Sequence, residues 1–128
     1  WDVGDNLQQH IKVIFLEVLN VVNEIEEDMI RRGHFNGLPY LKQEIKEYTK
    51  ALLDETKIMY SGVVPTMEEW LPISAVTAAI NIFAVDAVMN LGELATKEVF
   101  DWMASMPKII RCSYLINRLL DDIGTYKV

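Results

Sequence analysis

The residues with the most chemical potential stand near the end of the chain, in Arg118-Leu119-Leu120-Asp121-Asp122-Ile123-Gly124-Thr125. On a helix, positions four apart share a face, so Asp121 and Thr125 can offer one carboxylate and one hydroxyl to a single hard cation. Tyr114 and Asn117 precede Asp121 on that face, and Arg118 stands one turn before it. An oxygen-ligated divalent ion beside a guanidinium fork suits a diphosphate, whose oxygens the ion bridges while Arg118 donates paired hydrogen bonds. Magnesium takes only one or two protein carboxylates plus substrate phosphate, which fits so sparse a donor set. The spacing by itself fits a solvated helix end at least as well. In that case Asp121 and Asp122 face water, Arg118 makes a surface ion pair, and Tyr114 and Asn117 edge a core.

Other chemistries are excluded more firmly. His10 and His34 are the only histidines, and neither lies in a Glu-x-x-His or His-Glu-x-x-His frame, which removes di-iron and zinc-protease sites. The glycines form no phosphate loop and no dinucleotide fingerprint. Cys112 is the single cysteine, so it has no internal disulfide partner; it reads as an inert core thiol in a reducing compartment. With 12 basic against 19 acidic residues and a net charge of −7, the chain has no basic face for nucleic acid. Both halves of the chain are acidic, so there is no charged tail.

The elements that must position Arg118 to Thr125 are helices. The chain has 128 residues and is 51% hydrophobic, enough for one domain with a core and too apolar for disorder. Steps of three and four predict an all-α fold of about five helices and no strand. The first runs from about Asn6 to Arg32, capped by Asp5 or Asn6, with Gly33 at its stop and an apolar face from Ile11 to Met29. The turn His34 to Pro39 leads to a second helix ending near Ser61, with a stripe of Leu41, Ile45, Tyr48, Leu52 and Met59. Thr66-Met67-Glu68-Glu69 is a capping box for the third, with Pro72 placed near its first turn. From Trp70 to Leu91 that helix is apolar almost all round. Ser74, Thr77, Asn81 and Asp86 interrupt it, so a central bundle helix is expected and a membrane span is not. A short fourth helix from Thr96 to Met106 precedes Pro107, and the fifth carries Tyr114, Asn117, Arg118 and the acidic pair.

Arg-x-x-Asp-Asp-x-x-Thr at 118–125 resembles the second metal motif of plant class I terpene synthases, (N/D)-D-x-x-(S/T)-x-x-x-E. Trp1-Asp2, the segment Val64-Pro65-Thr66-Met67-Glu68-Glu69-Trp70-Leu71, Phe100-Asp101-Trp102 and Pro107-Lys108-Ile109-Ile110 resemble, in order, landmarks of that family's C-terminal α-domain. The resemblance implies part of the class I terpenoid synthase helical bundle. It makes Asp121 and Thr125 ligands of one of three magnesium ions, with Asp122 the motif's second acid and manganese an alternative ion. Arg118 becomes the catalytic contact to the substrate diphosphate. Tyr114, Asn117, Ile80, Asn81 and Phe83 become substrate-binding residues around an apolar cavity into which the acidic patch points.

The closing Glu of the motif falls one place after Val128, and the aspartate-rich DDxxD falls on the helix before Trp1. Residues 1–128 are therefore expected to be a partial metal-binding α-domain, lacking the upstream DDxxD helix and downstream helices. By itself it is expected to bind magnesium weakly and to have no cyclase activity. The implied reaction is magnesium-dependent ionisation and cyclisation of a prenyl diphosphate, farnesyl diphosphate to a sesquiterpene, in the cytoplasm. The alternatives are a monoterpene or diterpene synthase, placed in plastids, or a non-catalytic helical interaction domain.

Overall fold

The computed structural model describes residues 8–126, which form six α-helices and two short 3-10 turns; no strand occurs among the described residues. They divide into two compact units, one ending at Phe35 and one beginning at Asn36. The caps expected at Asp5, Asn6 and the landmark Trp1-Asp2 lie outside the described residues.

In the first unit, α1 spans Gln9–Arg32, 24 residues, roughly 36 Å at the helical rise. Gly33 ends it at φ 75, the left-handed position that glycine takes without a Cβ penalty, and Gly33 and His34 donate back to the Ile30 and Met29 carbonyls. Arg31 and Arg32 both reach Asp28, at 3.0 and 2.6 Å. Their charge suits the negative end of the helix dipole. The expected apolar face is only part of the picture, because Ile11, Val13, Ile14, Leu16, Val18 and Val21 are all exposed.

A 3-10 turn at Phe35–Gly37 carries the chain across the boundary between the units, and α2 follows in the second unit, Leu38–Tyr60, with Pro39 in the first turn where its missing N–H costs nothing. Its buried positions are Leu38, Leu41 and Ala51. Leu52 and Met59, expected on the stripe and on the same helical face as Leu41, are exposed. Glu47 accepts from Gln43 at 2.8 Å, and Lys57 pairs with Asp54 at 2.7 Å.

Thr66 caps α3, Met67–Thr77, with both halves of the capping box formed. The Glu69 carboxylate accepts from the Thr66 N–H at 2.9 Å and from its hydroxyl at 3.1 Å, which holds Glu69 below the usual carboxylate range. A lowered native pKa means the contribution is complete above the ordinary glutamate pKa and is lost as pH falls through the native value. Thr66→Ala is expected to cost about 1 kcal/mol, read as a lower urea midpoint, with Thr66→Ser close to unchanged.

The expected long third helix is broken. Pro72 lies at the sixth position of α3, beyond the first turn, and Ala79 sits at φ 61 between α3 and α4, Ile80–Met89. A non-glycine residue in that region costs roughly 1 kcal/mol or more. The 23 residues Met67–Met89 are together long and apolar enough to cross a membrane by length and composition alone. The break leaves helices of 11 and 10 residues, each about half the ~30 Å hydrocarbon layer. Nor is the segment fully central. Ser74, Ala75, Val85 and Met89 are buried, whereas Phe83 and Asp86 are exposed.

A 3-10 turn at Gly92–Leu94 leads to α5, Lys97–Ala104, and then Met106 at φ 53 redirects the chain into α6, Lys108–Thr125, entered through Pro107. The core of this unit is where α2, α4 and α5 meet. Met89 and Phe100 are 0% exposed there, and Phe100 stacks on Tyr40 with ring centroids 5.2 Å apart. Asn36 Nδ2 donates to the Ala95 carbonyl at 3.2 Å and fixes the approach to α5. The helix α6 packs against α3 and α4 and buries no residue fully, so it forms a flank of the unit.

Candidate functional site

Arg118 is the best-shielded polar residue of the motif, its side chain 15% exposed against 55% for Asp121 and 36% for Asp122. Its Nη2 lies 3.3 Å from Asp121 Oδ2 and is hydrogen-bonded to Asp122 Oδ1, so one guanidinium gathers both carboxylates. Helical spacing dictates this, since the acids stand three and four residues after Arg118. The Arg118 Nε–H is buried and has no acceptor among the described residues. A guanidinium is a rigid fork, so this spare donor sits close beside the nitrogens already engaged.

Thr125 is exposed, and its hydroxyl donates to the Asp121 carbonyl at 2.8 Å. That bond uses the proton and leaves the oxygen lone pairs for an electrophile. Asp121, Asp122 and Thr125 thus supply oxygen donors of the kind a hard divalent ion takes. Among the described residues no group of three His, Cys, Asp or Glu converges as a ready metal cage. The donor set fits a divalent ion that keeps positions for water or phosphate.

Tyr114 is half-buried and Asn117 exposed, on the turns of α6 leading to Asp121. The α4 residues are placed differently. Ile80 is half-buried, Phe83 is 65% exposed, and Asn81 turns its amide into a hollow of about 10 Å³. That hollow is lined by Tyr40, Glu44, Phe100, Met106 and their neighbours, and by none of Tyr114, Asn117 or Arg118. A larger open groove of about 520 Å³, between Ile58 and Trp70, likewise excludes the motif. The structure therefore brings the Arg118, Asp121 and Asp122 side chains together, ties the Thr125 hydroxyl to the Asp121 carbonyl, and does not join Ile80, Asn81 and Phe83 to them in one hollow. The acidic end of α6 lies on an exposed face, where the resemblance implies the rim of an apolar cavity.

Two polar clusters escaped sequence reasoning. The Tyr40 hydroxyl donates to Asp101 Oδ1, and Lys97 Nζ reaches Asp101 Oδ2 at 2.7 Å. These donors hold the Asp101 carboxyl below its usual range, while the carboxylate pushes Lys97 and Tyr40 up. The Lys97/Asp101 spacing of four was a legible signal; the Tyr40 partner, 61 residues away, was not. The other cluster is Glu44 with Asn81. Cys112, expected as a core thiol, is half-buried and free.

Residues 1–128 match the family described as "Terpene synthase family, metal binding domain". Among curated relatives, the chain is 37% identical to a (-)-germacrene D synthase of Vitis vinifera and 36% identical to a sesquiterpene synthase of Santalum spicatum, over 99% of its own length and 23% of theirs. It is 38% identical to a probable terpene synthase 2 of Ricinus communis, again over 99% of its length and 24% of the relative's. The chain thus spans about a quarter of these proteins. No solved structure matches it.

Proposed function

Because this chain belongs to the terpene synthase family, as its metal-binding domain, we propose that it supplies the diphosphate-gripping wall of an enzyme that ionises a prenyl diphosphate. The supporting observation is the buried, acceptorless Arg118 Nε–H beside two carboxylates and a threonine oxygen. A donor left over next to metal-type ligands is complementary to an anion that arrives with its own cation.

Asp121 and Thr125 would hold magnesium, with Asp122 alongside and manganese the alternative ion. Such an ion, when bound, neutralises charge that develops on the departing diphosphate. Arg118 does the protein's share: it donates to the diphosphate oxygens, and the low exposure of its side chain strengthens each bond relative to water. Asp122 keeps the guanidinium aimed along α6. Asn117 and Tyr114, one and two turns earlier, extend the polar rim towards the substrate. Phe83 and Ile80 remain candidates for the apolar wall of a cavity completed by further elements of the whole protein. Asn81 is committed to the Glu44 hollow.

Farnesyl diphosphate is the proposed substrate, with a sesquiterpene as product and the cytoplasm as location; the named sesquiterpene synthases among the relatives support this choice. The test is to incubate the whole polypeptide carrying this chain with farnesyl diphosphate and magnesium, and to follow volatile products by mass and diphosphate by release. Sesquiterpenes are expected. Turnover confined to the shorter or longer prenyl diphosphate would move the assignment to a monoterpene or diterpene synthase. No diphosphate release from any of the three, with magnesium or manganese, would overturn the enzymatic reading.

A further inference from the structure

Glu44 on α2 and Asn81 in the first turn of α4 line the same small hollow. Asn81 Nδ2 has the Met106 sulfur at 3.8 Å as a weak acceptor, its amide also pulls on the Glu44 carboxyl, and Asn81 Oδ1 is out of solvent with no donor among the described residues. A buried amide oxygen without a partner is costly, so the surroundings should hold a donor for it. Among the residues lining the hollow, the Glu44 carboxyl can be that donor once it carries its proton.

We propose that Glu44 in its acid form pairs with Asn81 through two antiparallel hydrogen bonds, making a pH-dependent tie between α2 and the first turn of α4. In this pair Asn81 Nδ2–H donates to one carboxyl oxygen, and Glu44 O–H donates to Asn81 Oδ1. The charges around the pair agree. Burial pushes the Glu44 carboxyl up, Glu47 on the same helix adds negative charge, and only the Asn81 amide pulls it down. Tyr40 is the other ionisable residue lining the hollow, and its proton is committed to Asp101 of α5, which Lys97 already neutralises. The remaining neighbours are not ionisable: Ala84 and Val85 from α4, Met103 from α5, Met106 from the turn and Ile110 from α6.

The sign follows from proton binding. The native state holds this proton to higher pH than the unfolded chain, so the tie is complete below the ordinary glutamate pKa and is lost as pH rises through the native value. Glu44→Gln replaces the O–H donor with an N–H that does not titrate. Thermal unfolding of the full chain and of Glu44→Gln, from about pH 5 to about pH 8, is the test. The native chain is expected to lose roughly 3 °C more than the variant across that range, leaving the variant the more stable of the two at the upper end. Parallel profiles, or a variant less stable at every pH, would overturn the pairing. The Glu44 carboxyl carbon, followed by NMR, gives a second readout on unmutated protein. Its midpoint is expected above the ordinary glutamate value, and a midpoint at or below that value refutes the acid form.

Discussion

Gly37→Ala, at the N-cap of α2, is expected to destabilise the chain by about 3 kcal/mol. Gly37 has φ −80 and ψ −18, a right-handed conformation that any residue adopts, so backbone strain plays no part. The obstacle is space. A Cβ there would stand 2.2 Å from Met89 Cγ and 2.6 Å from Phe100 Cζ. Both neighbours are wholly buried, and Phe100 is also stacked on Tyr40, whose hydroxyl is fastened to Asp101. Relief would need the α2 entry to lift from α4 and α5 or the ring to leave its stack.

Gly33→Ala is the matching control. Gly33 has φ 75 and open space around it, so its cost is conformational alone, about 1 kcal/mol. Urea midpoints should therefore rank Gly37→Ala well below Gly33→Ala. The reverse order would mean that Met89 swings aside freely and that the packing at the start of α2 is loose.

What the sequence made legible follows the range of the forces involved. Local signals held: the Gly33 stop and the Thr66–Glu69 capping box are settled within a few residues. The Ala79 break was hidden because Thr77-Ala78-Ala79-Ile80 contains no helix breaker, and alanine has the highest helix propensity of all. Packing of α3 and α4 on α2 and α6 must impose that left-handed residue, and periodicity carries no trace of it. Pro72 was misplaced for a related reason. The cap at Thr66 fixes where α3 starts, and counting forward from it puts Pro72 in the second turn. Of the motif, the pairing of Arg118 with Asp121 and Asp122 matches the solvated-end alternative, in which Arg118 makes an ion pair, because spacing within one helix settles it. Whether Asn81 and Phe83 face that motif depends on how α4 rolls after the break. Residue types alone leave that roll open, and the Glu44 hollow claims Asn81 instead.

Asp121→Ala in the whole polypeptide is expected to lower kcat/KM for the prenyl diphosphate by about 10²–10³-fold and to raise the magnesium concentration needed for half-maximal rate. The geometry separates this loss from misfolding. The Asp121 side chain is 55% exposed, and its 3.3 Å contact with Arg118 duplicates the Asp122 bond, so removing it should move stability by ~1 kcal/mol or less. Asp122→Ala should do the opposite in kind: it releases the guanidinium from its closest partner, weakening its aim while leaving the proposed ligand pair Asp121 and Thr125 in place. Its metal requirement should stay near that of the parent, with a smaller fall in rate. Arg118→Lys should lower the rate at unchanged magnesium requirement, because an ammonium on a flexible stem cannot replace the buried Nε–H and its neighbouring fork. If Asp121→Ala instead turns over at the parental rate with parental metal dependence, the carboxylate is only a solvated partner of Arg118, and the end of α6 has no part in gripping the diphosphate.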